Sequence, residues 1–391
     1  MKKILLIFNT NMFLKNTGVS VRFYEICKYL KSKDCIIDQW FYINDFPDWG
    51  TEETTKSRII NIKKESDIIR NFYYYDFNEA GEELKNLKET AFKQTQLYDK
   101  TFPKSKQKFK EIVKENKYDT IIICDVQFIN FLDVIDKTEI NIILMLEDFM
   151  SSNIYERNKS KSFDVFIKCF KKEISLINKA KSVVAISLDE ILFLSKFTNE
   201  TIKWNHLPHM IKPKNIVEKT KYENDILCIS SNNKFNLFGI CWFFFNEYKM
   251  LSDYKFLFVG NCIDYIQAET EYNIKKVKFK RYVKNLDDVY NNSKIIIAPI
   301  DGGTGLKIKI IEALSYGKPI VTNLQGLQGQ PKKYNNGIIA TDDPVKFANE
   351  IKRLLTDEKY YKQKQQEAIT YFNECFNFNN FKHKLKEAFE L

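Results

Sequence analysis

The stretch Ile295-Ile296-Ile297-Ala298-Pro299-Ile300-Asp301-Gly302-Gly303-Thr304-Gly305-Leu306-Lys307-Ile308-Lys309-Ile310-Ile311-Glu312-Ala313-Leu314 decides the reading of this chain. An apolar run with no polar alternation reads as a strand buried on both faces, the kind found in parallel sheets. It empties into a glycine-rich turn, and the turn opens a helix carrying Lys307, Lys309 and Glu312. That order builds an anion site, because free backbone N–H groups and the positive helix end face outward where glycines let a ligand come close. Glu312, about two turns in, is placed to accept hydrogen bonds from hydroxyl groups, as an acidic residue does with a nucleotide ribose. Phosphate plus ribose means a nucleotide.

Outward from this stretch, Gly317-Lys318-Pro319-Ile320-Val321-Thr322 reads as a helix stop followed by another buried strand. Apolar strands alternate with helical patterns along most of the chain, which predicts an α/β class of parallel sheets flanked by helices. In the first half, strands are expected at Ile4–Asn9, Ile36–Ile43, Thr120–Asp125, Ile140–Glu147 and Ser182–Ile186, with a helix at Val19–Leu30. The highly charged stretch 78–116 reads as a surface helical insertion. A second series follows: strands at Asp225–Ser230, Lys255–Val259, Val277–Phe279, Lys294–Pro299 and Pro319–Thr322, and helices at Phe238–Leu251, Ile308–Tyr316, 344–356 and 358–373. The polar segment Lys212–Asn224 separates the two series as a linker. The expected domains are 1–212 and 213–375, doubly wound and enclosing a cleft at the carboxyl ends of their strands, with a final helix in 376–391.

Composition fits this division. At 391 residues the chain exceeds one ordinary hydrophobic core, and 44% hydrophobic and 15% aromatic residues suffice for two. No apolar run approaches the length of a membrane span, and the apolar start at Ile4 ends at Asn9 without a cleavage site, so a cytoplasmic protein is expected. The eight cysteines show neither Cys-x-x-Cys pairs nor a histidine at ligand spacing and read as free thiols. The net charge of +10 has two readings. One is a patch attracting anionic lipid, a lipid-linked acceptor or a nucleotide; the other, preferred, is a generally lysine-rich composition. Basic and acidic residues are interspersed, which argues against nucleic acid as partner.

Strand, glycine turn, lysine-bearing helix start, Glu312-Ala313-Leu314 and Gly317-Lys318-Pro319-Ile320-Val321 in register resemble the donor-site region of the GT-B glycosyltransferases, specifically retaining glycosyltransferase family 4, the group 1 transferases. Asn236, Gly239 and Trp242-Phe243 are similar to that family's signature after the first strand of its second domain, and Gly18-Val19-Ser20-Val21-Arg22 to its entry to the first helix. The resemblance implies a GT-B fold of two Rossmann-like domains. It also implies transfer of a sugar from a UDP- or GDP-sugar to a glycan, a lipid-linked saccharide or a protein, with retention and without a required metal. A lipid-linked acceptor would be met at the inner face of the membrane. The final helix is implied to cross back to the first domain.

On the same grounds Gly303, Thr304, Gly305, Leu306 and Lys307 are expected to hold the diphosphate, Glu312 the ribose, and Lys234, Asp301 and Gly18 further parts of the donor. Lys307, with Asp148 on the opposite wall, is assigned the catalytic role: Lys307 for leaving-group charge, Asp148 for orienting donor or acceptor. Lys309 reads as a solvated or snorkelling side chain, Arg22 as a helix-surface charge, and His206 and His209 as structural. Two positions depart from the family pattern. Where many members place an arginine and a lysine to clamp the diphosphate, this chain has Ser231-Asn232-Asn233-Lys234; and where the first of two glutamates usually stands, with seven residues between it and Glu312, it has Thr304. That loss leaves two rival readings: a non-catalytic GT-B partner subunit, or, less favoured, a nucleotide-sugar epimerase.

Overall fold

A computed structural model describes residues 1–15, 17–45, 49–93, 96–158, 162–262 and 276–390. By its contacts the chain divides into Met1–Leu207 with Lys384–Leu391, and Pro208–His383.

The first unit is built on β1 (Lys3–Ile7), α1 (Gly18–Lys31), β2 (Ile36–Ile43), α2 (Glu52–Glu65), β3 (Asn71–Asp76), α3 (Glu82–Lys93), α4 (Pro103–Asn116), β4 (Thr120–Cys124), β5 (Asn141–Leu146), α5 (Met150–Arg157), α6 (Phe163–Ile177), β6 (Ser182–Ala185), α7 (Leu188–Leu194) and β7 (Lys203–His206). Its seven strands are all parallel, in the order β3-β2-β1-β4-β5-β6-β7. The order reverses direction between β1 and β4, so the loops leaving their carboxyl ends part there and open a crevice.

The 78–116 stretch is not one surface insertion. It comprises a 3₁₀ turn at Phe77–Ala80, α3 and α4. Helix α4 buries Ser105, Phe109, Ile112 and Val113, with the Phe109 ring 5.7 Å from Trp40 and 4.5 Å from Phe131. It is a crossover helix on the sheet, and its many lysines cover only the outer face. Strands β3 and β7 and helices α2, α5, α6 and α7 complete the unit beyond the expected series.

The second unit comprises β8 (Asn224–Ile229), α8 (Lys234–Asn246), β9 (Phe256–Val259), β10 (Val277–Lys280), α9 (Leu286–Asn291), β11 (Ser293–Ala298), α10 (Ile308–Ser315), β12 (Ile320–Thr322), β13 (Ile338–Ala340), α11 (Pro344–Thr356) and α12 (Glu358–Cys375), followed by α13 (Phe378–Phe389). Its strands are parallel in the order β10-β9-β8-β11-β12-β13, with the switch between β8 and β11. Helix α8 starts four residues earlier than the expected Phe238, because the Asn233 side chain accepts from the Phe235 N–H and caps it. The helix ends at Asn246, and a 3₁₀ turn at Tyr248–Leu251 follows. Six of the eight cysteines are buried and two partly so.

The loops at the carboxyl ends of β8, β9 and β11 are pressed together. A Cβ on Gly239 of α8 would stand 2.4 Å from the Pro299 carbonyl oxygen, and one on Gly260, after β9, 1.9 Å from that of Ser230. Gly260 also has φ +123°, a conformation that side chains rarely adopt. A Gly260→Ala substitution should therefore cost about 3 kcal/mol, measured as a shift in the chemical denaturation midpoint; an unchanged midpoint would mean that this approach is not enforced.

Candidate functional site

The bend between β11 and α10 has three glycines at positive φ: Gly302 (111°), Gly303 (85°) and Gly305 (73°). Their freedom is used against the protein itself. A Cβ on Gly302 would lie 2.8 Å from the Phe235 ring, and one on Gly303 3.1 Å from it. The Asp301 N–H donates to the Phe235 carbonyl (3.1 Å) and the Ile300 N–H to Asn323 Oδ1 (3.0 Å), which anchors the bend at its entry.

Lys307, at the N-cap of α10, turns its ammonium back onto this bend. Nζ donates to the carbonyls of Gly303 (2.9 Å) and Thr304 (3.0 Å) and to Gln328 Oε1 (3.3 Å), while Gln325 Nε2 donates to the Gly303 carbonyl as well. A trans peptide sets its C=O and the following N–H antiparallel. With the carbonyls of Gly303 and Thr304 drawn to Lys307, the amides of Thr304 and Gly305 are directed away from it. No side chain caps α10, so its first N–H groups add to the same positive end. Leu306 is buried, which leaves its backbone alone for a ligand; Asp301 is exposed at the tip of the bend.

Lys309 neither stands in solvent nor snorkels toward it, contrary to the solvated or snorkelling side chain expected. Its Nζ reaches the β8–α8 turn and donates to Ser230 Oγ (3.1 Å) and Asn236 Oδ1 (2.7 Å). Both are neutral oxygens, and loss of solvation holds the Lys309 pKa below the ordinary lysine value. Asn236 is held in turn by the carbonyl and hydroxyl of Ser231 (both 3.1 Å). A cation thus stands beside the turn in which the diphosphate-clamping arginine is missing, supplied by a different helix. Lys234, the first residue of α8, is exposed and lies 5.7 Å above the Phe238 ring.

Glu312, one helical turn on from Lys309, accepts from the Tyr290 hydroxyl at 3.2 Å. Tyr290 stacks on Tyr316 at 4.3 Å, and Tyr316 donates to Asp287, which also pairs with Lys214 (2.9 Å). This chain fixes the carboxyl in place, and burial raises its pKa.

In the first unit, a 190 Å³ cavity lies at the carboxyl ends of β1, β4 and β5, lined by Asn9, Lys100, Asp125, Glu147 and Asp148 among others. Asp148 is one wall of it. Gly18 begins α1 instead, after a Thr17–Ser20 capping box. Arg22 is buried, not a surface charge: it pairs with Glu147 and donates to the Leu207 carbonyl at 2.7 Å. Lys100 is buried, 2.8 Å from Asp45. Asp125 follows β4 at φ +85°, strained for a non-glycine residue, and burial pushes its carboxyl up to about 6. Sequence reasoning passed over it, since neither its backbone angle nor its enclosure leaves a local pattern. His206 Nε2–H donates to the Ile186 carbonyl, just past the end of β6, at 3.2 Å, and burial lowers its pKa to about 4; His209 is buried. Among the described residues, no three His, Cys, Asp or Glu side chains are grouped to hold a metal ion.

An acid whose folded pKa lies above its unfolded one favours folding when protonated, so its contribution declines as pH rises through the folded value. The stability of the parent relative to Asp125→Asn should fall by about 3 kcal/mol as pH rises from the ordinary carboxylate range through about 6. Parallel denaturation series across pH measure this; a pH-independent difference contradicts it.

Comparison with known proteins places these features. Residues 223–357 match the family model described as "Glycosyl transferases group 1". No characterised protein matches the chain by sequence alone. Among solved structures, the fold is similar to the sucrose-phosphate synthase of Thermosynechococcus elongatus (TM-score 0.70, 14% identity, covering 100% of this chain and 98% of that one). It is also similar to Anabaena HepE in complex with UDP and glucose (0.67, 13%, 100% and 100%). A Staphylococcus aureus TarM mutant in complex with fondaparinux, alpha-GlcNAc-glycerol and UDP matches equally (0.67, 12%, 100% and 100%). At these identities the likeness speaks for the fold: two parallel-sheet units of the GT-B type.

Proposed function

With a group 1 glycosyl transferase domain at 223–357 as its premise, we propose that this protein transfers a sugar from a nucleoside diphosphate sugar to a hydroxyl group of an acceptor. The observation that carries the reading is the joint placement of the Thr304 and Gly305 amides, the uncapped start of α10, and the Lys309 ammonium around the β8/β11 switch. A departing diphosphate develops negative charge on its oxygens. Fixed amides and a poorly hydrated ammonium stabilise that charge without reorganising, which is the largest single contribution available to such a site. Lys307 acts one layer back, holding the carbonyls so that the amides stay aimed. Glu312, held by Tyr290, accepts from the ribose hydroxyls.

In the transfer, the anomeric carbon–oxygen bond to the diphosphate breaks and the acceptor hydroxyl oxygen bonds to that carbon. The acceptor proton passes to the leaving phosphate oxygen, an arrangement that retains the anomeric configuration and needs no separate base. Asp125 and Asp148, in the cavity of the first unit, are assigned to hydroxyl groups of sugar or acceptor. UDP is the favoured nucleotide, since the HepE and TarM complexes hold it; GDP is the alternative, and the acceptor class is a glycan, a lipid-linked saccharide or a protein. A second reading, a non-catalytic partner of another transferase, is favoured by Thr304 standing where the family's first glutamate usually lies.

Calorimetric titration with UDP and GDP, then nucleotide release from a panel of their sugars, decides between these. The transferase reading expects binding of one nucleotide and slow release of it from the matching sugar. Glu312→Ala and Lys309→Met should each weaken nucleotide binding by about tenfold or more, since each removes a hydrogen bond involving a charged group, while far-ultraviolet circular dichroism is unchanged. Absence of nucleotide binding by the parent would sink the reading, and binding without release from any sugar would favour the partner subunit.

A further inference from the structure

We infer that Gln325 and Gln328, on the loop between β12 and β13, are positioning residues for the diphosphate cradle, closing a ring of hydrogen bonds behind it. The inference deepens the reading of the β11–α10 bend as that cradle and rests on it. Four contacts form the ring. Lys307 Nζ donates to the Gly303 carbonyl (2.9 Å) and to Gln328 Oε1 (3.3 Å), and Gln325 Nε2 donates to the same two oxygens. Each oxygen accepts twice, which fills its lone pairs, and the Gln325 amide uses both of its hydrogens. Both side-chain amides are thereby oriented: position 325 has to donate and position 328 has to accept.

Lysine alone does not specify one geometry. Its stem is flexible and its ammonium rotates freely about the last bond, while glycines at positive φ resist other conformations little. Planar amides with assigned donor and acceptor atoms remove that freedom, provided that they are themselves fixed. They sit on a 3₁₀ turn, Leu324–Leu327, directly after β12. The Gly326 N–H donates to the Asn323 carbonyl (2.9 Å), the Gln328 N–H to that of Gln325 (3.2 Å), and the Leu324 N–H to Asp342 Oδ1 (2.9 Å). A Cβ on Gly326 would lie 2.2 Å from Thr322 Oγ1, and that hydroxyl donates to the Ala298 carbonyl at the end of β11 (2.6 Å). Asn323 Oδ1 accepts from the Ile300 N–H (3.0 Å), a second tie to the bend. The strand leading into the bend and the strand carrying the ring are thus joined on both sides of it. The Gly303 carbonyl faces the ring, so the ring acts on the cradle through the peptide plane, without touching a ligand.

The test uses the full chain labelled with ¹⁵N-glycine, which gives twelve amide positions, and needs no nucleotide for its first readout. Gly303 and Gly305 are expected to have order parameters of about 0.85 in the parent, falling below about 0.6 in Gln325→Leu and Gln325→Glu, which cannot donate. Gln328→Glu, which still accepts, should keep the parental values. Gly239 and Gly337, outside the ring, report that each variant is folded. In calorimetry with UDP or GDP, whichever the parent binds, Gln325→Leu should weaken binding by about tenfold or more. A glutamine that only stabilises the loop would lower the denaturation midpoint and move neither readout. Rigid Gly303 and Gly305 in Gln325→Leu, two glutamate variants that behave alike, or unchanged nucleotide affinity in Gln325→Leu would overturn the inference. A parent that binds neither nucleotide would overturn it together with the transferase reading, and is told apart because the order parameters of the ring still respond.

Discussion

The grip of one ammonium on two carbonyls orders the chemistry of the second unit. Lys307 holds the Gly303 and Thr304 oxygens, and planarity of the peptide then dictates where the next two amides point. Without that staple, a bend with three positive-φ glycines would be a flexible connection. With it, the same glycines become a rigid cradle whose other side is packed against Phe235. The lysine nearest the glycines is thus spent on geometry, and the charge facing the β8–α8 turn comes from Lys309.

The division of labour follows from the sheet. In both units the strand order reverses beside the first strand, between β1 and β4 and between β8 and β11, and in both units the polar machinery gathers at the carboxyl ends of those strands. In the second unit it is amides, Lys309 and Glu312; in the first, Asn9, Asp125, Glu147 and Asp148 around a cavity. The Arg22–Glu147 pair beneath that cavity joins residues far apart in sequence and ties α1 to the end of β5. Arg22 is buried, so loss of Glu147 would leave its charge without that partner, and the pair positions the wall of the cavity.

Much of this architecture is legible in the sequence, for a physical reason. Strands β4, β5, β8 and β11 are largely covered on both faces, so they read as apolar runs rich in Ile and Leu. The helix of Glu312 and the helix at 344–356 carry clear apolar faces and were placed within a residue. Strand β3, Asn-Phe-Tyr-Tyr-Tyr-Asp at the edge of its sheet, is only partly buried and lacks that signal. Helix α4 has its apolar residues at helical spacing, but lysines between them obscure the stripe. Within the site, Glu312 and the glycine bend are local patterns and could be singled out. The direction of Lys309, the strained Asp125 and the buried Arg22 depend on residues distant in the chain, and no window of sequence holds that information.

Crystals of the protein grown with UDP, and in parallel with GDP, test the central claim most directly. The account predicts diphosphate density within hydrogen-bond distance of the Thr304 and Gly305 amides and of Lys309 Nζ, with the ribose against Glu312 and Lys307 still bound to the Gly303 and Thr304 carbonyls. A nucleotide seated elsewhere, or a diphosphate held by Lys307 after it has left those carbonyls, would contradict it.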